Sequence, residues 1–251
     1  MLTATFIAAQ GIGPVAERRL WEAGILSWED ALRASPSDLP LNSVQRDALL
    51  PHLPEWIARF GVDDYAYFAR LLPASEHWRA VPHYMDRVGF LDIETNGGFG
   101  SDSITVIGVY DGDESRIYVK YRDLEEFADD AANYALWVTF FGTGFDVPFL
   151  RRRFPETTFD QLHVDLCPLL RRLGFKGGLK RIERQLGIAR DDALDGLSGY
   201  DAVRLWREWR QKKSQAALDL LLEYNRADIE NLSLLLAFAY GRLKASTGFP
   251  G

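Results

Sequence analysis

A single cysteine, Cys167, stands in the 251 residues, which excludes an internal disulfide and any zinc cluster built on several cysteines. No stretch approaches the roughly 20 consecutive apolar residues that a membrane-spanning helix needs. Met1 to Gln10 has neither the basic flank nor the small-residue cleavage site of a secretory signal, so a reducing, cytoplasmic setting is the expectation. Positive charge is also short: 29 lysines and arginines against 36 aspartates and glutamates give a net charge of −7. That balance excludes a protein that holds polyanions by bulk electrostatics, but not one with a local basic track beside an acidic site.

The rest is ordinary globular material, 47% hydrophobic and 26% charged, and the length suits two domains. The basic residues are uneven. Arg151, Arg152, Arg153, Arg171, Arg172, Lys176, Lys180, Arg181 and Arg184 crowd one segment; Arg204, Arg207, Arg210, Lys212 and Lys213 form a second run. Taken singly each reads as a solvated helix-face residue, and taken together they read equally as a phosphate-backbone track.

From Thr5 to Ala34 the pattern is helical, interrupted by Gly11-Ile12-Gly13-Pro14 and closed by Gly24-Ile25. Ser27 caps a helix over Trp28 to Arg33, with Asp30 as its capping-box partner. Short helices are expected around Ser43 to Leu50 and Glu55 to Phe60, a connecting helix over Asp63 to Leu72, and a crossing over Pro73 to Pro82 into a second domain. The character changes at Val88. Val88 to Glu94, Ile104 to Tyr110 and Ser115 to Val119 read as strands with glycine and aspartate turns. A helix over Asp123 to Asn133, a buried strand over Ala135 to Phe140, and a nearly all-helical remainder after Asp165 follow, ending in a long helix from Ser214 to about Lys244. The expectation is a small all-α domain, residues 1–72, followed by an α/β domain, residues 73–251, with a mixed five-stranded sheet flanked by helices.

Asp92-Ile93-Glu94 places two carboxylates at i and i+2 of a strand, so both project from one face while Leu91 and Ile93 enter the core. Two such acids on a buried central strand repel unless neutralised, and divalent cations are the usual neutraliser; on an edge strand the pair would be only a solvated acidic patch. Asp146 follows a strand and the turn Gly142-Thr143-Gly144-Phe145. With Pro148 just after it, it reads either as an ordinary helix N-cap or as a third carboxylate at the end of a strand. Tyr224 and Asp228 lie one turn apart on a helix, where phenol and carboxylate can hold a water between them or simply bond to each other at the surface.

These blocks, in this order, resemble the tyrosine subclass of the DnaQ-like DEDD exonucleases, whose pattern is Asp-x-Glu, a later Phe-Asp, and Tyr-x-x-x-Asp. They stand here as Asp92-Ile93-Glu94, Phe145-Asp146 and Tyr224 with Asp228. Phe90-Leu91-Asp92-Ile93-Glu94-Thr95, Ile107-Gly108-Val109-Tyr110-Asp111-Gly112, Phe145-Asp146-Val147-Pro148-Phe149-Leu150 and Gly178-Leu179-Lys180-Arg181-Ile182-Glu183-Arg184 look like the YprB-like branch, over roughly Val88 to Leu236. The resemblance implies a ribonuclease H-like fold. It also implies a metal-dependent 3′-to-5′ exonuclease that cuts phosphodiester bonds at the 3′ ends of single-stranded DNA or RNA and releases 5′-mononucleotides. Two divalent cations, Mg2+ or Mn2+, would serve it. Asp92 would bridge both, Glu94 and Asp228 would complete one site, and Asp146 would support the other, partly through water. Tyr224 would orient the attacking water, and Thr95 would meet the terminal nucleotide. Asp165 has a capping or supporting role, and Lys180 is a phosphate contact or a solvated surface residue. The family commonly has asparagine before the glycine of its second block, where this chain has Phe141, a residue that either stacks on a base or joins the core.

Gln10-Gly11-Ile12-Gly13-Pro14-Val15-Ala16 resembles a helix-hairpin-helix motif. Gly11 and Gly13 would shape a tight turn whose amides face a phosphate of duplex backbone; the same hairpin also serves as a packing or protein-contact unit. Two alternatives accompany the exonuclease reading: a ribonuclease H-like endonuclease, and a nucleic-acid-binding scaffold without hydrolysis. The block of Tyr224 and Asp228 favours the exonuclease.

Overall fold

β-Branched residues return in short runs after Val88 and build β1 (Val88–Thr95), β2 (Ile104–Tyr110), β3 (Ser115–Val119), β4 (Leu136–Thr139) and β5 (Leu162–Asp165). The computed structural model describes residues 1–194 and 196–251. The strands form one five-stranded sheet of order β3-β2-β1-β4-β5. β1 pairs antiparallel with β2 and β2 with β3, while β1 pairs parallel with β4 and β4 with β5. The acidic pair therefore lies on the central strand of the sheet, beyond Phe90, the last residue that β1 pairs with β4.

Strand alternation divides the core. Leu91, Ile93, Ile107 and Val109 pack with Phe127, Trp137, Phe149 and Leu150 on one face. Val106 and Val119 pack with Ala202, Leu205, Trp206, Leu218, Leu221 and Tyr224 on the other. That second layer comes from the helices Gly199–Lys212 and Gln215–Thr247. Asp92 and Glu94 alternate with Leu91 and Ile93 and so face the long helix.

The helix expected over Asp123 to Asn133 is instead three short pieces, Leu124–Glu126, Phe127–Asp130 and Ala131–Asn133. Its acids are used elsewhere: the Val119 amide donates to Asp123 at 2.6 Å and the Tyr118 hydroxyl to Asp130 at 2.6 Å. Asp129 and Asp130 would also fall at the C-terminal end of a longer helix, where its dipole disfavours negative charge.

The chain divides into two compact units, Met1–Tyr84 with Tyr240–Gly251, and Met85–Ala239. The first is helical. Trp28 stacks on Phe68 and meets Trp56 edge-on, each at 5.6 Å. It extends past Leu72 because Arg79, fully buried, pairs with Glu17 at 3.1 Å and Glu76 at 2.7 Å. Glu17 also accepts from the Thr5 hydroxyl at 2.6 Å and the Phe6 amide at 2.8 Å. Gly11 takes φ +79°, Gly13 is the N-cap residue of helix Pro14–Glu22, and Gln45 holds the turn by donating to the Gly11 carbonyl at 2.8 Å.

Candidate active site

β1 outruns its parallel neighbour. Pairing with β4 ends at Phe90, so Leu91 to Thr95 keep only β2 as a partner. The open edge is filled by a side chain: Asp146 accepts the Ile93 amide at 3.0 Å, in place of the missing strand. Asp146 is the first residue of helix Asp146–Arg153, whose N-cap is Phe145. Its position is fixed in turn by Asp165, which accepts the amides of Phe141 at 2.8 Å, Thr143 at 3.1 Å and Cys167 at 3.1 Å. Asp165 thus caps one helix and holds the loop that delivers Asp146. On the other side, the β1–β2 register slips between Glu94 and Thr95, a bulge of the sort that re-aims side chains beside active sites.

The long helix completes the cluster. One carboxylate oxygen from each of Asp92, Glu94 and Asp228 lies within 4.8 Å of the others. Asp92, Glu94, Thr95, Phe145, Gly199, Tyr224 and Asp228 line an open cavity of about 290 Å³. Asp92 is half-buried, whereas Glu94, Asp146 and Asp228 are buried. Burial and mutual repulsion push Asp92 and Glu94 well above the usual carboxylate range. Burial lifts Asp146 to about 7, with Asp165 and Asp228 adding to it, and lifts Asp228 to about 6 against the pull of Arg190. An all-oxygen donor set of four acids, of which among the described residues only Asp228 has an ion-pair partner, Arg190, fits a hard divalent cation. Burial, reinforced by Asp228, Glu94 and Asp92, holds the Tyr224 phenol well above its usual value, so it stays protonated at neutral pH.

Asn225, Arg190 and Glu183 support the cluster without being singled out by the sequence. Asn225 donates to Asp92 Oδ2 at 2.9 Å. Arg190 meets Asp228 at 2.5 Å and forks onto Glu183 at 2.6 and 2.7 Å. Only Gly108 left a signal: it sits opposite Asp92 in the register, and a Cβ there would stand 2.0 Å from Asn225 Oδ1. A glycine inside a strand marks such a close approach. Lys180 places its ammonium 4.0 Å from the centre of the Tyr224 ring and donates to the Leu197 carbonyl. Phe141, at φ +67° and 56% exposed, folds its ring over Gly144 and does not line the cavity; Phe145 does. Gly11 and Gly13 belong to the first unit.

A family model described as the RNase_H superfamily matches residues 89–240, more than half of the chain. The chain belongs to the RNase_H superfamily. The acid cluster of Asp92, Glu94 and Asp228 suits a hard divalent cation. No curated protein matches the chain. Among solved structures it is similar to the family B DNA polymerase from the hyperthermophilic archaeon Pyrobaculum calidifontis, with 17% identity and a TM-score of 0.48. That likeness covers 60% of this chain and 24% of the polymerase chain. Among the described residues no helix is long and apolar enough to cross a membrane.

Proposed function

We propose that this RNase_H superfamily chain is a cytoplasmic 3′-to-5′ exonuclease of the DEDD type, tyrosine subclass and YprB-like branch, acting on single-stranded DNA or RNA ends. The observation that carries the reading is the convergence of Asp92, Glu94 and Asp228 within 4.8 Å at a cavity that Tyr224 also lines. Two divalent cations, Mg2+ or Mn2+, held by Asp92, Glu94, Asp228 and Asp146, would lower the pKa of the attacking water and stabilise the leaving 3′-oxygen.

The protein's own groups supply the rest. Asp92 is fixed by Asn225, Asp228 by Arg190, and Asp146 by the Ile93 amide. Tyr224, held neutral, serves as a hydrogen-bonding group that orients the water rather than as a base. Thr95 borders the cavity where a terminal nucleotide would rest, and Lys180 stands behind Tyr224 as a phosphate contact. In the first domain, the hairpin of Gly11 and Gly13 would meet duplex backbone through its amides.

The test is degradation of 5′-labelled single-stranded DNA and RNA in Mg2+ or Mn2+, with free and blocked 3′ ends. The reading expects a ladder that shortens from free 3′ ends and stops at blocked ones. Internal cuts in blocked strands would return a ribonuclease H-like endonuclease, and tight binding without cleavage would return the scaffold.

A further inference from the structure

Tyr121 occupies the turn after β3 with φ +68°, a left-handed backbone that bulky residues rarely adopt, yet 64% of it is exposed. The turn holds it there. Lys120 donates its amide to the Thr105 carbonyl at 2.9 Å and Arg122 to Val119 at 3.0 Å, and the buried Lys120 ammonium pairs with Asp102 at 2.8 Å. Backbone strain of this kind persists where the surroundings over-determine a position, and it clusters at functional sites.

Around Tyr121 lies an aromatic and basic ladder. Its ring runs nearly parallel to Trp206, at 15° and 6.4 Å, and Trp206 meets Trp209 at 4.7 Å. The Arg210 guanidinium covers Tyr121 at 4.1 Å and Arg122 covers Trp209 at 5.4 Å. Arg204 and Lys212 have Asp201 and Glu208 as partners. Among the described residues, no carboxylate pairs with Arg122, Arg207 or Arg210. The helix that carries this ladder begins at the site, since Gly199 lines the cavity. Arg207 Nη2 lies 3.6 Å from where a Cβ on Gly97 would be, just past Thr95. From Gly199 to Arg210 the helix climbs about 16 Å.

We propose that Tyr121, Trp209, Arg207 and Arg210 form a binding track for single-stranded nucleic acid, gripping the strand upstream of the nucleotide in the cavity. It rests on the exonuclease reading for its direction. Aromatic faces stack bases without regard to sequence, and unpaired guanidinium groups meet phosphates or stack on bases themselves. A duplex keeps its base faces covered by its own stacking, so this chemistry selects single strands.

The full-length protein and its Tyr121→Ala, Tyr121→Phe and Arg210→Gln variants test the track in two ways. Fluorescence anisotropy measures affinity for an oligodeoxythymidine of about 20 nucleotides in metal-free buffer. Hydrolysis with Mn2+ is then compared on that strand and on a two-nucleotide substrate that reaches only the cavity. The Tyr121→Ala and Arg210→Gln variants should bind the long strand about 5- to 100-fold more weakly. Both should cleave the short substrate at the wild-type rate, and Tyr121→Phe should bind like wild type. Wild-type affinity in both Tyr121→Ala and Arg210→Gln overturns the track, as does an equal loss on the two-nucleotide substrate. If the affinity loss holds while no preparation cuts either substrate, the exonuclease reading fails and the track stands.

Discussion

Asn225 reaches from the long helix to Asp92 on the central strand, donating from Nδ2 to Oδ2 at 2.9 Å and to the Asp92 carbonyl at 3.3 Å. The bond fixes one rotamer of a carboxylate that its acidic neighbours would otherwise push away. It exists because Gly108, directly across from Asp92 on β2, leaves the space that Asn225 fills.

Asn225→Ala should lower metal affinity or turnover about 10- to 100-fold, the usual cost of losing a partner that orients a metal ligand. Gly108→Ala should do the same without touching any ligand, because its Cβ would stand 2.0 Å from Asn225 Oδ1 and the fully buried Asn225 cannot move clear without releasing Asp92. Mn2+ titrations of activity for both variants check this. Wild-type titration curves in Gly108→Ala would remove Asn225 from the machinery.

Arg190→Ala should be chiefly a stability variant. The guanidinium is buried between Glu183 and Asp228, and Asn231 adds a bond to Glu183 at 3.0 Å. Truncating it leaves a buried carboxylate unpaired, which costs about 3–5 kcal/mol, or a fall of roughly 6–20 °C in Tm for a chain of this size. Arg190→Lys should fall between, keeping the charge and losing the fork. A thermal scan showing Arg190→Ala as stable as wild type contradicts the buried pairing.

What the sequence made legible follows from distance along the chain. Asp92 with Glu94, and Tyr224 with Asp228, each lie within one element whose period of two or of 3.6 decides their shared face. Asp146 was readable as a strand-end acid, although the detail that it substitutes for a missing β4 partner of Ile93 depends on where β4 stops. Arg190 meets Asp228 from an irregular segment, and beside Asp191 and Asp192 nothing local marks it as the partner of a distant helix residue. The reach of the first compact unit to Tyr84 has the same cause, because Arg79 is held by Glu17, a contact between helices far apart in sequence. Phe141 departs from the family pattern in the sequence, but its placement over Gly144 follows from Asp165 pinning its amide.

The acid cluster should give the metal-free protein a distinctive pH profile. A carboxyl whose folded pKa stands above its unfolded value of about 3.9 contributes stability that is complete below that pH and lost as pH rises through the folded value. With Asp228 near 6 and Asp146 near 7, and Asp92 and Glu94 also raised, Tm without metal should decline between about pH 4 and 7. Other ionisable groups add their own slopes, so the comparison is with Asp92→Asn. That variant should decline less and melt a few degrees higher than wild type at pH 8 without metal. Mg2+ should raise wild-type Tm at pH 8 more than at pH 5, and hardly affect Asp92→Asn. Parallel profiles for the two proteins would falsify the repulsion that makes the site a cation site.

Tyr224→Phe separates chemistry from packing. The ring belongs to the buried core cluster of Val106, Leu205 and Leu221, with Lys180 on its face at 4.0 Å, and phenylalanine keeps both the burial and the Lys180 contact. What it loses is a hydroxyl that burial and the neighbouring carboxylates hold protonated beside Asp228. If that hydroxyl orients the attacking water, its interaction grows towards the transition state, so kcat should fall about 10²- to 10⁴-fold with substrate affinity nearly unchanged. Tm should hardly move. If the hydroxyl serves only packing, the pattern reverses, with stability lower by about 1 kcal/mol and the rate intact. Single-turnover rates and thermal midpoints on the same preparation distinguish the two. A wild-type rate with a lowered midpoint takes Tyr224 out of the reaction and leaves the carboxylates to position the water alone.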